Sequence, residues 1–334
     1  EGVIFLYSKN FEQARVLIVG DVMLDRYYDG TTDRISPEAP IPVMKLGAIE
    51  NRAGGAANVA LNLASLGVQV SLLGFVGDDE AADILNALLV DHGVDTHLIR
   101  VSSCSTIQKM RFVAQNQQLL RCDIEKDFSQ APHDDLLQWF VQNVMQHDVC
   151  VLSDYAKGTL LDPQPYIQAA KRVDVATLID PKGKDFARYA GATLVKPNQK
   201  EFDLVFGASS DQQHVSAQQY LKEQDVDALL LTQGSQGMTL YQTEQPPRHY
   251  VCEQFEVKDV SGAGDTVIAM TALCLALGQN LEQAVDFANK AAGLVVMKAK
   301  TSALTRWECR RLMLRMDRNP HNCVRSEEDT SELQ

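Results

Sequence analysis

Short apolar runs recur along the chain, and charged residues occur in them only at their ends. The clearest runs are residues 15–20, 68–75, 149–153, 176–180, 193–196 and 228–232. Segments with apolar residues at helical spacing lie between them, such as residues 56–66 and the stretch from Asp78 to Val90. Charge-free strands are typical of a sheet covered by helices on both faces. The alternation of strand and helix predicts a three-layer α/β fold with a largely parallel sheet.

Two segments break this alternation. Residues 27–46 are rich in Pro, Gly and β-forming residues, and residues 105–123 read as two strands around the turn Gln115-Asn116. Both indicate a small β element inserted into the larger domain, suited to act as a lid over a site. The alternative is that they are edge hairpins of the main sheet.

Composition places the chain among ordinary globular proteins. It has 334 residues, 45% hydrophobic and 22% charged, with a net charge of −13. That charge argues against a nucleic-acid surface, although it leaves room for a local phosphate pocket. The seven cysteines form no CxxC pair, so a reducing compartment is expected. With no signal peptide and no apolar run near ~18 residues, we expect a cytoplasmic protein without a membrane partner.

Residues 304–334 differ from the rest. Residues 307–318 predict an amphipathic helix, and residues 325–334 have no core-forming content, which predicts disorder. We interpret this tail as artefactual and assign no function to it.

The stretch 259–265, Asp-Val-Ser-Gly-Ala-Gly-Asp, places a carboxylate behind a glycine-rich helix start. The backbone at Gly262, Ala263 and Gly264 is nearly uncovered, so N–H groups and the positive helix end can meet one anion. Asp265 beside such a hole is placed to take a proton from an alcohol, as phosphoryl transfer requires. The alternative is a glycine-rich turn capped by an acid.

Loops after other predicted strands carry polar groups toward the same edge of the sheet. Asn198 and Glu201 share one helix face, and an amide with a carboxylate suits Mg²⁺ held through water. An ordinary helix start is the alternative. The turn 232–237 carries two glycines that would let the backbone approach a nucleotide.

Acids and cations near the predicted lid suit a sugar phosphate. Asp21 and Asp25 can grip sugar hydroxyls, and residues 52–58 form a second glycine-rich helix start. Lys109 and Arg111 share a strand face and can meet a phosphate on the substrate. Exposed loop acids and a solvated strand face are the alternatives.

In combination, these motifs resemble the ribokinase-like (PfkB) carbohydrate kinase family. Its signatures are the Gly54-Gly55 pair at a helix start, Asn198 with Glu201, and the stretch 259–265. The resemblance implies a ribokinase-like three-layer α/β/α sandwich over residues 11–303, with a mostly parallel central sheet and a small β lid.

Within the family, several stretches are similar to bacterial kinases of D-glycero-β-D-manno-heptose 7-phosphate, the heptose of lipopolysaccharide. These stretches are residues 20–27, 34–40, 52–60, 116–121, 152–158 and 180–183. The resemblance implies ATP-dependent phosphorylation of the anomeric hydroxyl to the 1,7-bisphosphate, early in ADP-heptose supply.

The resemblance also implies roles for residues. Asp265 is the expected base, with Gly262, Ala263 and Gly264 as the anion hole. The positions expected to line Mg-ATP are Asn198, Gln199, Lys200, Glu201, Thr232, Gly234, Gly237 and Asn289. The expected sugar contacts are Asp21, Asp25, Gly54, Gly55 and Asn58. Our own candidates for the 7-phosphate are Lys109, Arg111 and Lys157.

The chain departs from the family at some positions. Val260 stands where the broad family commonly has Thr, and Lys298 stands where related enzymes tend to have Gly, which puts the expected monovalent-cation site in doubt. Relatives often carry a nucleotidyltransferase domain whose His-x-Gly-His motif is absent here, so we expect a stand-alone kinase or a truncated chain. Family members also suggest a homodimer through the lid. Kinases of another sugar or nucleoside, and a non-catalytic sugar-binding protein, are the alternative functions.

Overall fold

The computed structural model describes residues 10–207, 210–252, 262–298 and 303–318. Their framework is a main sheet in which β11, β10, β9, β8, β1, β4 and β5 are parallel neighbours, while β12 and β13 add antiparallel strands at one edge. In chain order these strands are β1 (Arg15–Gly20), β4 (Gln69–Gly77), β5 (Asp95–Val101), β8 (Val149–Ser153), β9 (Ala176–Asp180), β10 (Leu194–Val195), β11 (Ala228–Thr232), β12 (Met238–Gln242) and β13 (Arg248–Tyr250).

Helices cover both faces of the main sheet. They are α1 (Ala56–Ala64), α2 (Glu80–Asp91), α3 (His133–Asn143), α4 (Gln164–Arg172), α5 (Gln199–Phe206), α6 (Ser210–Glu223), α7 (Ala263–Ala276), α8 (Leu281–Val296) and α9 (Arg306–Arg318). Residues of β1 alternate between two cores: Val16 and Ile18 pack with α1, α2, α7, α8 and α9, whereas Leu17 and Val19 pack with α3 to α6. The α/β fold class predicted from the sequence is confirmed. The prediction was possible because strands covered by helices on both faces need apolar residues on both faces.

A second sheet stands apart from the main one. We call it the small sheet: β3 (Pro42–Gly55), β2 (Val22–Ile35), β6 (Ile107–Ala114) and β7 (Gln117–Ile124), in that spatial order. The β-rich segments 27–46 and 105–123 belong to it and do not extend the main sheet as edge hairpins. Its strands run further than those segments, and β3 leads through Gly55 directly into α1.

The turn between β6 and β7 follows its sequence. Gln115 and Asn116 both have positive φ, 53° and 65°, which is the conformation of a tight hairpin turn. Two parallel strands, β2 and β6, pair from Met23 opposite Ile107 onward. The small sheet adjoins the carboxyl end of β1, because β2 begins at Val22, directly after β1 ends at Gly20, and β2 also contacts β4.

The C-terminal segment is partly helical. α9 adds Cys309, Leu312 and Met313 to the first core, and Arg306 pairs with Glu12 at 2.8 Å. The predicted disordered tail, residues 325–334, lies outside the described residues. Among the helices of the described ranges, none has the length and apolar character needed to cross a membrane.

Candidate active site

The carboxyl ends of the parallel strands form one edge of the main sheet. Asp21 follows β1, Tyr155 follows β8, Asp180 ends β9 and Lys196 follows β10. In an open α/β sheet, ligands bind outside this edge. The first turns of α1 and α7 reach the same place, as the contacts below show.

Asp265 is the third residue of α7, and its side chain is buried, 8% exposed. Asn58 donates from Nδ2 to its Oδ2 at 2.6 Å, and Tyr155 donates its hydroxyl to Oδ1 at 2.9 Å. Burial raises the pKa of Asp265, and the two hydrogen bonds oppose that rise. A carboxylate fixed in this way, with a raised pKa, is suited to accept a proton from a substrate.

The residues predicted to form the anion hole lie at the start of α7. Gly262 precedes the helix with a φ of 77°, in the left-handed region that favours glycine, and it has no side chain to cap the helix. Ala263 and Gly264 are the first two helical residues, whose N–H groups have no intrahelical acceptor in any α-helix. The first turn of α7 therefore presents backbone donors and the positive helix end beside Asp265.

Sequence reasoning missed Lys196 as a site residue. Its buried Nζ lies 3.1 Å from Asp180 Oδ1 and 3.4 Å from the point that a Cβ on Gly264 would occupy. Burial raises the pKa of Asp180 to about 6, with Lys196 opposing the rise. The available signal was a lysine directly after a charge-free strand, because such a residue is carried to the ligand edge of the sheet.

Tyr155 was also missed, and Asn58 has a different contact from the one predicted. Asn58 is expected from the sequence to touch sugar hydroxyls, but its side-chain amide donates to Asp265. It is the third residue of α1, which begins after Gly55 at a φ of 59°. Only the tertiary structure brings Asn58 and Tyr155 to Asp265.

Asn198 and Glu201 form a capping box at the start of α5. Asn198 Oδ1 accepts from Glu201 N at 3.0 Å, and Glu201 Oε2 accepts from Asn198 N at 3.1 Å. Glu201 Oε1 also lies 3.0 Å from Lys182 Nζ. Gln199 bonds to Asp203 at 2.7 Å, and Lys200 is exposed. The ordinary helix start is thus present, and a magnesium role for the pair stays a prediction.

The turn after β11 adjoins α5. Thr232 bridges to Asn198, and Gly234 and Gly237 both have positive φ, 59° and 96°. The loop therefore approaches the start of α5, as expected for residues lining one ligand. Asn289 is buried on α8, where its Nδ2 donates to the Val251 carbonyl at 2.9 Å. Its predicted approach to a nucleoside stays a prediction.

Three cations were predicted to bind the substrate phosphate: Lys109 and Arg111 lie on β6 of the small sheet, and Lys157 lies in the loop after β8. Lys109 Nζ lies 6.0 Å from the ring centre of Tyr155. Arg111 donates to Asp25 Oδ1 at 2.5 Å, and Lys157 pairs with Glu125 at 2.6 Å. Two of the three candidate phosphate-binding cations, Arg111 and Lys157, are therefore already paired, and Lys109 lies near the ring of Tyr155.

Asp21 is placed differently from its predicted role as a sugar contact. Its carboxylate is fully buried, 0% exposed, and accepts backbone N–H bonds from Tyr155, Lys157 and Thr159 at 2.9 to 3.0 Å. It organises the loop after β8, and its burial does not support contact with a sugar hydroxyl. Asp25 is half-buried and remains open to a ligand.

The two glycines of the predicted sugar site lie where β3 meets α1. A Cβ on Gly54 would be 2.5 Å from Asp25 Oδ2, and a Cβ on Gly55 would be 2.4 Å from the Asp21 carbonyl oxygen. Both positions exclude side chains because of packing within the protein. Their predicted sugar contacts stay predictions.

Part of the closing motif, Asp259, Val260 and Ser261, lies outside the described residues. Lys298 is described: its Nζ lies 2.8 Å from Glu308 Oε2 and 3.0 Å from the Ala303 carbonyl. The ammonium group of Lys298 is thus paired within the segment where the family resemblance left a monovalent-cation site in doubt.

Comparison with known proteins gives concordant results. The sequence matches the family described as pfkB family carbohydrate kinase over residues 13–308. It is 48% identical over 301 residues to the bifunctional protein HldE of Actinobacillus pleuropneumoniae, covering 90% of this chain and 63% of that protein. The protein of the same name from Shewanella piezotolerans is 49% identical over 300 residues, covering 89% and 63%. The chain therefore spans about 63% of the length of these relatives.

Solved structures share the fold. Arabidopsis thaliana ribokinase, complexed with ribose and ATP, has a TM-score of 0.71 at 21% identity, covering 90% of this chain and 98% of that one. Escherichia coli phosphofructokinase-2, in complex with potassium, has a TM-score of 0.72 at 18% identity, covering 91% and 99%. At these identities the likeness shows the fold alone, which is ribokinase-like.

Proposed function

The chain belongs to the pfkB family of carbohydrate kinases, and from this premise we propose that it transfers the γ-phosphate of ATP to the anomeric hydroxyl of D-glycero-β-D-manno-heptose 7-phosphate. The product would be the 1,7-bisphosphate. The observation that carries the proposal is the buried Asp265 carboxylate beside a glycine-started helix, with each oxygen held by one donor.

Asp265 supplies the base in this proposal. Asn58 and Tyr155 each donate to one of its oxygens, so the remaining lone pairs have a fixed direction. Burial raises the pKa of Asp265 against the effect of these two hydrogen bonds, and a raised pKa favours proton transfer from an alcohol. The substrate hydroxyl gives up its proton to Asp265 as its oxygen attacks the γ-phosphorus, and the bond from that phosphorus to the β,γ-bridging oxygen breaks, so that ADP leaves.

The first turn of α7 and Lys196 supply the charge stabilisation. Backbone donors and an ammonium group beside Gly264 are aimed at the region where phosphate oxygens gain negative charge. Gly264 has no side chain, so an anion can approach the helix start. These groups fit an ATP phosphate.

Mg²⁺ would neutralise charge on the ATP phosphates when bound. Asn198 and Glu201 are the residues proposed to hold it through water, because an amide oxygen and a carboxylate suit an ion that keeps its waters. The same two residues also cap α5, and Glu201 pairs with Lys182. Within the described ranges, no three His, Cys, Asp or Glu side chains group to hold a metal ion. That fits an ion that keeps its waters and is bound mainly by substrate phosphates.

The substrate's own phosphate is assigned to the cationic face of the small sheet. Arg52 and Arg111 lie 4.4 and 5.1 Å from the ring centre of Tyr27, and Lys109 faces Tyr155. Lys109 forms no ion pair with any carboxylate in the described part of the chain. It is therefore the cation most available for a 7-phosphate.

A substrate panel tests the proposal. Purified protein with Mg-ATP should release ADP with heptose 7-phosphate and much more slowly with fructose 6-phosphate or unphosphorylated heptose. Lys109→Ala should raise KM for heptose 7-phosphate by roughly tenfold, the scale of one hydrogen bond to a charged group. Lys45→Ala, on an exposed position of β3, is the matched control. Equal rates on fructose 6-phosphate would favour the alternative, a kinase of another sugar phosphate.

We also propose that two copies pair through the outer face of the small sheet. Ile49, Tyr28, Phe112 and Leu120 stand opposite one another in register and form an apolar row across its four strands. Ile49 and Leu120 are 51% and 55% exposed, although both are large and apolar. Light scattering that returned the monomer mass at micromolar concentration would contradict this pairing.

A further inference from the structure

We propose that Tyr155 is a positioning residue for Asp265, and that the buried Asp21 carboxylate holds the loop that delivers it. The inference rests on the proposed function only in taking Asp265 as the base. It assigns Asp21 a role inside the protein in place of the predicted contact with substrate.

Tyr155 controls one of the two oxygens of the base. Its hydroxyl donates to Asp265 Oδ1 at 2.9 Å, while Asn58 donates to Oδ2 at 2.6 Å. With one donor on each oxygen, the plane of the carboxylate is fixed. Burial raises the pKa of Tyr155 well above its ordinary value, so the hydroxyl keeps its proton and remains a donor at physiological pH.

The loop 154–159 has a shape that local rules do not favour. Ala156 has a φ of 56°, a conformation that a residue with a Cβ adopts rarely. Asp154 supports it by accepting from Ala156 N at 2.8 Å, and Tyr189 donates to the second Asp154 oxygen at 2.8 Å. Such a conformation persists only where its surroundings hold it.

Asp21 also stabilises the backbone of the loop 154–159. Its two oxygens accept three backbone N–H bonds from alternate residues of the loop, Tyr155, Lys157 and Thr159. Hydrogen bonds to an ionised acceptor are roughly twice as strong as neutral ones. Asp21 therefore fixes the backbone from which the Tyr155 ring reaches Asp265.

The charges and hydrogen bonds around Asp265 determine in which direction its pKa should change when Tyr155 is replaced. Asp25 and Asp180 face it with negative charge, and Lys196 opposes them. The hydrogen bond from Tyr155 also lowers the pKa of Asp265 against the effect of burial. Removing that donor should raise the pKa of Asp265 further, so more of the base is protonated at a given acidic pH.

The first test is Tyr155→Phe, with Tyr166→Phe as the matched control. The hydroxyl of Tyr166 is buried and has no hydrogen-bond partner in the described part of the chain, whereas that of Tyr155 donates to Asp265. Tyr155→Phe should lower kcat by about tenfold or more, the scale of one hydrogen bond to a charged group, and leave KM for ATP unchanged. The acid limb of its pH profile should move to higher pH, and Tyr166→Phe should match wild type. A wild-type kcat and acid limb in Tyr155→Phe would overturn the inference.

A second measurement needs no substrate. The carboxyl ¹³C resonance of Asp265, assigned by its loss in Asp265→Asn, is titrated in wild type, Tyr155→Phe and Asp21→Asn. The midpoint should rise in both variants, because each loses or misplaces the tyrosine donor. An unchanged midpoint in Tyr155→Phe would overturn the inference even if the enzyme is active. If the wild-type protein had no kinase activity but the midpoint still rose in Tyr155→Phe, the proposed function would be overturned and the positioning role of Tyr155 would be supported.

Discussion

The starts of α1 and α7 have similar local structures but different roles. Each helix follows a glycine of positive φ, Gly55 at 59° and Gly262 at 77°, and neither has a side-chain cap. Each carries a polar side chain as its third residue, Asn58 or Asp265, and these two side chains bond to each other at 2.6 Å. The start of α1 contributes the donor of this bond, and the start of α7 contributes the carboxylate that accepts it.

Their surroundings explain the difference. The first N–H of α1, at Ala56, donates to the Asp21 carbonyl at 3.0 Å, and a Cβ on Gly55 would lie 2.4 Å from that same oxygen. Among the residues that the structure describes, a Cβ on Gly264 in α7 would meet only Lys196 Nζ, at 3.4 Å. Glycine at the start of α1 is thus required for packing, whereas glycine at the start of α7 leaves space for a ligand.

The largest expected effect is on kcat, and it follows from replacing Asp265, the acidic residue at the start of α7. Asp265→Asn keeps the shape of the side chain but removes the base, so kcat should fall by about 100- to 10,000-fold. Asp225→Asn, an exposed residue paired only with Lys171 in the described ranges, is the control and should keep full turnover. A rate near wild type in Asp265→Asn would remove Asp265 from catalysis.

Glycine substitutions at the two helix starts separate packing from access. Gly55→Ala forces a close contact and a strained φ, and should destabilise the fold by about 1–3 kcal/mol, seen as a lower midpoint of denaturant unfolding. Gly264→Ala should change that stability by less than about 1 kcal/mol. It should nevertheless lower turnover by roughly tenfold or more, since the added methyl group displaces the phosphate.

The opposite pattern would show that the roles of the two helix starts are reversed. If Gly264→Ala proved fully active, the start of α7 would not be a close phosphate contact. A stable Gly55→Ala would mean that β3 and α1 can shift relative to Asp21.

The smallest effect concerns α5, whose start is closed by its own capping box. Asn198→Ala removes the cap and should cost about 1 kcal/mol of unfolding free energy, measured by denaturant titration. Asn198→Ser keeps a capping oxygen and should cost only a few tenths. Because Asn198→Ser preserves the helix start, a rise in its KM for Mg-ATP would report a ligand role, and an unchanged KM would indicate that the residue serves the helix alone.

Much of the fold could be predicted because its signals are local. The strands 15–20, 149–153, 176–180 and 228–232 have the predicted bounds, since each is an apolar run with charged residues only at its ends. The turn at Gln115 and Asn116 was predicted correctly for the same reason. Helix and strand lengths elsewhere differ by a few residues, because tertiary contacts decide where an element frays.

The site was less predictable. Asp21 and Asp25 look equivalent in sequence, four residues apart after one strand, yet one is buried under three backbone N–H groups and the other pairs with Arg111. Lys196 and Tyr155 carry no signature beyond their places after strands. Which side such a residue faces depends on the loop conformation, and that is set by partners distant in the chain.

The sequence by itself determined the layered α/β architecture, the family and the identity of the acidic residue at the start of α7. Those depend on periodicity and on motifs of a few adjacent residues. The tertiary structure decided which donors hold that residue: Asn58 is 207 positions away from it and Tyr155 is 110 positions away. Contacts over such separations leave no local pattern, because they exist only once the strands have aligned in the sheet and brought their carboxyl ends together.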